Sequence, residues 1–318
     1  MIIRLGYVAI ALGLPKVTSS SNVTYTSYKK IPTEVQKLNK LKQVSYSNIA
    51  DLEKILKYNI ENNIHFYRMT SALIPLSTHP DVNWDYRTIF DVDFRIIGDI
   101  IKNSNMRVDT HPDQFNVINS LNDDVVENTK RNLMFHANLF KDMEYPLGKM
   151  VLHVGSSAGG KEASIKRFED NFKKYPEEIT SKLILENDDK TFTARETLGL
   201  CKALDVPMVL DVHHHICNND GTNLDEILPD IFDTWNKEKF PPKLHFSSPR
   251  DNPKDRKHAD FIDGKDFVDF IEICKTIDRD IDIMIEAKMK DLALFNLMKS
   301  IKDLRKEWKW IDNSSFEV

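Results

Sequence analysis

The chain has 318 residues, with 41% hydrophobic and 29% charged side chains and a mean hydropathy of −0.42, which excludes a disordered polymer and describes a soluble globular protein. A net charge of −5 does not advertise a nucleic-acid binder, but the total is silent on local basic patches, so that class stays open. Cys201, Cys217 and Cys274 stand far apart with no C-x-x-C spacing, which argues against a disulfide framework or a thiolate zinc site and fits a reducing cytoplasm.

The apolar start, MIIRLGYVAIALGLPK, has an early Arg4, no small-residue cleavage site and too short a run to span a bilayer. It reads as a first β-strand over residues 2–8 and its loop, which continues long, polar and rich in Ser, Thr and Tyr. Helical periodicity over Ser47–Asn63 leads to a β-type run at 65–71, then to a helix over Phe90–Ser104 and a strand at 106–112. The alternation continues with a helix Asn122–Met143, a strand 150–155, a helix Lys161–Tyr175, a strand 183–188 and a helix Thr193–Leu204. A strand at 207–214 and a helix Asn223–Trp235 precede a strand at 243–248, which opens into the basic, proline-bearing loop SPRDNPKDRKHADF. A helix Asp263–Ile277, a strand 281–288 and a helix Asp291–Trp308 complete the pattern. Eight strands alternating with eight helices predict a single-domain α/β fold over residues 1–318, a (β/α)8 TIM barrel with its last helix and tail from about 290. A doubly wound open sheet is disfavoured because no G-x-G-x-x-G opens a helix after any strand.

Active sites of such barrels sit at the C-terminal ends of the strands. Six consecutive strands bring a donor there: His111, His153, Glu186, Asp211 with the adjacent His213, His214 and His215, then His245 and Glu286. Imidazole and carboxylate without thiolate suit Zn²⁺, Mn²⁺ or Fe²⁺, and so many donors imply a cluster of ions, with Glu186 central enough to bridge them. Three adjacent histidines on an extended strand cannot all face one ion; strict alternation would aim His213 with Asp211. Lys243, two residues before His245, should point into the same mouth. Two or three divalent ions can cleave a phosphodiester through a metal-activated water, and barrel sugar isomerases also use two, so the rim alone does not choose; the histidine count leans toward phosphodiester cleavage.

IRLGY, HFYRMTS, HPDQFNVINS, LHVGSSAGGK, LENDD, LDVHHH, KLHFSS, KHADFI and MIEAK, in this order from residue 2 to about 290, resemble the UV damage endonuclease family, and more distantly the endonuclease IV type of abasic-site nuclease. The resemblance implies a monomeric enzyme that nicks double-stranded DNA on the 5′ side of cyclobutane dimers and 6-4 photoproducts. It implies three divalent ions, usually Mn²⁺ with Zn²⁺ or Mg²⁺ as alternatives, on His111, His153, Glu186, Asp211, His214, His245, His258 and Glu286. Within that set, Glu186, Asp211, His245 and Glu286 would hold one ion, His111 and His153 with Glu186 a second, and His214 and His258 a third. His213 and His215 then become supporting residues. Lys243 would be carboxylated or otherwise help order the site, alongside Glu186, Asp211 and Glu286 as the catalytic set. Gln114 and Phe115 would wedge into the duplex at the lesion, and Tyr7 would lie near the lesion pocket. Arg68, Lys161, Arg250, Lys254, Arg256 and Lys257 are expected to contact phosphates. The basic segment KSIKDLRKEWKW lies on the last helix, away from the mouth. A barrel sugar isomerase or epimerase and a non-catalytic lesion-binding protein are the alternatives.

Overall fold

Short runs of Val, Ile, Leu and Met that are buried on both faces form parallel strands, because each strand must cover side chains in the barrel lumen and under the helices. The computed structural model describes residues 1–318 and contains β1 (Ile2–Val8), β2 (Phe66–Met69), β3 (Arg107–Thr110), β4 (Met150–His153), β5 (Leu183–Glu186), β6 (Met208–Asp211), β7 (Lys243–Phe246) and β8 (Ile281–Ile285). Parallel pairing runs from β1 through β8 in sequence, and the β8–β1 and β1–β2 pairs close the ring. The predicted (β/α)8 barrel is therefore the observed fold. One apolar cluster of 67 buried residues joins strands to helices all round the ring, with two four-residue clusters beside it.

Two departures from the sequence reading have physical causes. The first helix of the barrel layer spans Glu34–Glu61 and starts well ahead of the expected Ser47, because Thr33 caps it by accepting from the Gln36 amide while its leading turns bury nothing. The last helix, Lys290–Leu304, stops short of Trp308. Beyond it, β9 (Lys309–Trp310) and β10 (Ser315–Glu317) form an antiparallel hairpin that pairs with Ile2, Ile3 and Arg4 of β1. β2 pairs with β1 only from Gly6 onward, so β10 occupies the β1 edge that β2 leaves open at the base of the barrel.

The lumen is less apolar than barrel strands usually are. Arg107 bonds Asp282 at 2.9 Å and Asp109 at 3.1 Å, Arg4 reaches Asp282 at 2.6 Å, and Lys243 reaches Asp109 at 3.2 Å. Arg107, Asp109, Lys243 and Asp282 are all buried, and Trp235, whose indole donates to the Met208 carbonyl, stacks under the Arg107 guanidinium. The sequence reading missed this layer, although RVDT already placed two charges two residues apart on one strand face.

Candidate metal centre

Side chains alternate along a strand, so a residue two positions beyond a lumen residue also faces the lumen. Asp109, Val151, Ile184, Val209, Lys243 and Met284 are buried, and two residues after each comes His111, His153, Glu186, Asp211, His245 and Glu286. The register sets His153 beside Glu186 and Asp211 beside His245, while Glu186 and His245 on their other sides pair with Val209 and Met284, two residues short of the next donor. The predicted ring of donors is thus brought together at the C-terminal end of the barrel.

Glu186 is its hub. One carboxylate oxygen lies 3.0 Å from His111 Nε2 and 3.7 Å from His153 Nε2; the other lies 2.8 Å from His245 Nδ1 and 3.6 Å from His214 Nδ1. Three sets of donors have their ligand atoms within 4.8 Å of one another: His111, His153 and Glu186; Glu186, Asp211 and His214; Asp211, His245 and Glu286. Asp211 Oδ2, His153 Nδ1 and His245 Nε2 are buried without any hydrogen-bond partner, which is costly for a polar atom unless something else meets it. His258 is placed by a bridge between Pro249 and His258 in the loop after β7; its Nδ1 comes within 3.8 Å of Glu286 but joins no three-donor set.

The three adjacent histidines separate because the strand ends at Asp211 and a short helix, Val212–Cys217, starts at once. Asp211 caps it, one carboxylate oxygen accepting from the His214 amide at 2.7 Å, and the i, i+3 geometry of the turn brings His214 over the same side as Asp211. His213 and His215 turn away onto the Asp255 and Thr222 carbonyls at 2.9 and 3.1 Å. Helical rather than strand geometry thus decides which histidine faces the centre.

The electrostatics call for cations. Burial works against the charge on Glu186, yet the His245 and His153 rings and the hydrogen bonds from His111 and His245 hold its carboxyl well below the usual range. Burial likewise opposes ionisation of Glu286, and the Arg68 guanidinium bonded to it more than offsets that, lowering its carboxyl too. Asp211 has no such partner: burial, with the Glu186 and Glu286 charges against the pull of His214, pushes it up to about 6. His214 resists burial because Asp211 and Glu186 raise it to about 9. His214 therefore holds a proton among carboxylates that otherwise lack positive partners, and a divalent ion would displace it.

Around this centre, Gln114, Arg68 and Ser71 help to wall an open depression of about 330 Å³ whose floor includes Glu186 and His214. Phe115 follows on the same loop with three quarters of its surface exposed, against the ordinary tendency of phenylalanine to be buried. Lys243 is not in the mouth. It lies wholly buried one layer below the rim on Asp109, and burial, with help from Arg107, brings its ammonium down to about 8. Tyr7 does not face the mouth either: its ring is fully buried toward the helix layer and its hydroxyl donates to Asn59 Oδ1 at 2.7 Å, because odd positions of β1 point outward. Arg250 is held by Asp251 at 2.6 Å, Arg256 by Asp189 and Lys161 by Glu196 at 2.8 Å, so each already has an acidic partner on the surface. Lys254 and Lys257 are exposed on the same loop as Arg250. No helix is long and apolar enough to cross a membrane.

A family model described as UV-endonuclease UvdE matches residues 3–314. A UV DNA damage endonuclease of Bacillus mycoides (strain KBAB4) is 40% identical over 306 residues, 96% of either chain. The crystal structure of SacUVDE superposes with a TM-score of 0.84 at 32% identity, covering 96% of this chain and 98% of that one. Endonuclease IV from Thermus thermophilus shares the fold alone, with a TM-score of 0.54 at 12% identity over 95% of this chain and 99% of that one. With nearly its whole length matched, and with the donor ring falling on the matched strands, the chain belongs to the UV DNA damage endonuclease family.

Proposed function

We propose that the protein nicks duplex DNA on the 5′ side of UV photoproducts, using divalent ions held by the rim of the barrel, manganese first among them. The observation that carries this reading is the Glu186 carboxylate, buried, shared by two of the three donor sets and facing four imidazoles. His111, His153, Glu186, Asp211, His214, His245 and Glu286 would hold the ions, with His258 close enough to complete one position. Such ions supply Lewis-acid activation of water and neutralise charge on a phosphodiester.

The chain's own residues account for the rest. Arg68 fixes Glu286 while its guanidinium lines the open depression, where it can also meet a phosphate. Phe115 offers a planar face to a gap in the base stack, and Gln114 beside it offers an amide to the bases at that gap. An open depression, rather than a closed apolar pocket, suits a polymer lying across the mouth and disfavours a small sugar as substrate.

The test is supercoiled plasmid, with and without ultraviolet exposure, incubated with the protein and Mn²⁺. Conversion of irradiated plasmid alone to the nicked form, abolished in Glu186→Gln, is the expected result. Absence of nicking by the metal-supplied wild type rejects the reading, and binding of irradiated duplex without incision would assign a non-catalytic role instead.

A further inference from the structure

The helix Glu34–Glu61 begins before the barrel core reaches it: residues 34–40 bury no side chain, and the first buried one is Leu41. Barrel helices start at the mouth and run down the outside. The leading turns, about 10 Å at 1.5 Å per residue, therefore stand above the mouth face. They form a lobe with the helix Tyr25–Lys29 and the segment 76–84 on a small core of their own, Val23, Leu41, Val44 and Val82, separate from the main cluster.

We propose that this lobe is a second DNA-contact surface, which grips the duplex arm to one side of the lesion; the proposal rests on the function given above. Residues 16–42 hold six lysines against one glutamate, a local charge of +5 in a chain whose total is −5. Glu34, the one acid of this segment, pairs with Lys37 at 2.7 Å, and Asp81 accepts from the Tyr25 hydroxyl at 2.8 Å. Tyr25 stacks on His79 with ring centres 3.9 Å apart, and the Lys29 and Lys37 ammonium groups sit 4.7 and 5.3 Å above the Tyr25 and Tyr28 rings. Rings seated this way fix the ammonium groups on an aromatic platform at the surface. Lys16, Lys29, Lys30 and Lys40 remain exposed.

The lobe is continuous with the candidate centre. A cleft of about 510 Å³ has His79 and Pro80 of the lobe on one wall and Asp113, Phe115 and Asn116 on the other. Ser71 and Asp113 also wall the depression over Glu186. Between them the cleft is lined by side-chain amides, including Asn128 and Asn132, which both donate and accept. A strand leaving Phe115 along this cleft meets His79, on which Tyr25 stacks beneath the Lys29 ammonium, and an anion with regularly spaced charges is the partner that such a surface attracts.

The test compares the triple variant Lys29→Gln/Lys30→Gln/Lys40→Gln with Lys299→Gln/Lys302→Gln/Lys306→Gln, which removes equal charge from the last helix and its end. Affinity for a labelled undamaged duplex is measured across a salt series by fluorescence anisotropy. The dependence of log affinity on log salt should flatten by about 0.9 for each phosphate no longer neutralised, about 2.7 if all three lysines act, in the lobe variant and not in the control. Lys→Arg at the same three positions should restore it. No change, or an equal change in both triples, overturns the proposal. Undamaged duplex reports on the lobe without incision, whereas the plasmid assay reports on the catalytic reading, so the two can fail separately.

Discussion

Replacing Asp282 by Asn tests whether the charged layer inside the barrel holds the fold. Asp282 is fully buried, receives two hydrogen bonds from Arg4 at 2.6 and 2.8 Å, and a third from Arg107 at 2.9 Å. The amide keeps the shape but removes the charge facing two guanidiniums, and breaking one side of a buried ion pair costs about 3–5 kcal/mol. Unfolding entropy of about 2.1 cal/mol/K per residue makes each kcal/mol worth roughly 1.5 °C in a chain of 318 residues. Asp282→Asn should therefore melt about 4–7 °C lower by differential scanning calorimetry. Arg107→Met combined with Asp282→Leu removes both members of the pair and should cost less than the sum of the single variants by about 1–3 kcal/mol. A melting point within a degree of wild type, or strict additivity in the double variant, would show that the layer is ballast and refute the reasoning.

Phe115→Ala should leave the denaturation midpoint unchanged, because the side chain packs little, while nicking of irradiated DNA falls roughly 5- to 150-fold for a missing stacking interaction of about 1–3 kcal/mol. Tyr7→Phe should have the opposite profile: leaving Asn59 Oδ1 unsatisfied costs about 1–3 kcal/mol of stability in urea, with DNA affinity unaltered. Burial of His136, with the nearby His111, lowers its imidazole to about 3, so the folded state refuses a proton that the unfolded chain accepts below about 6.5. The stability present above that value should be lost at about 1.4 kcal/mol per pH unit as pH falls toward 3, and His136→Gln should flatten the slope measured by urea unfolding at stepped pH. Because His214 is raised to about 9 and Asp211 to about 6, Mn²⁺ binding near neutral pH should release protons, seen by calorimetry as a dependence of apparent enthalpy on the buffer's ionisation enthalpy; a buffer-independent enthalpy would contradict those protonation states.

The barrel and the rim were legible because both rest on short-range rules. Strand and helix periods alternate visibly along the chain, and a polar residue ending an apolar run, such as Glu186 after LIL, marks the mouth without any tertiary information. Where the reading depended on a local backbone switch it stopped short. Alternation pointed to His213, and only the helical turn that begins at Asp211 brings His214 to the centre. Lys243 and Tyr7 show the same limit. Two-residue spacing correctly sends Lys243 into the lumen, but depth along the strand decides between the rim and the layer beneath. Position on β1 sends Tyr7 outward to Asn59, which a sequence can indicate only once the inward register of that strand is known. The overhanging turns of Glu34–Glu61 lacked a core-facing stripe and so gave no periodic signal, although their lysines were in plain view.

The two charged levels of the lumen divide the work of folding and chemistry. In the lower one, Arg4, Arg107 and Lys243 face Asp109 and Asp282 at hydrogen-bonding distances, so its charges are met by partners built into the chain. In the upper one, Glu186, Asp211 and Glu286 face one guanidinium and a ring of imidazoles, and Asp211 in particular pairs only with His214. A level completed by its own side chains can set the barrel's shape before any ion arrives, whereas a level left short of positive charge keeps its donor atoms available. Stacking the second on the first fixes His111 above Asp109 and His245 above Lys243 by the two-residue repeat of the strand, so the spacing of the donors is inherited from the ion pairs beneath them. This is why disturbing the lower layer should be felt first in stability, and why neutralising Glu186 should be felt first in the chemistry.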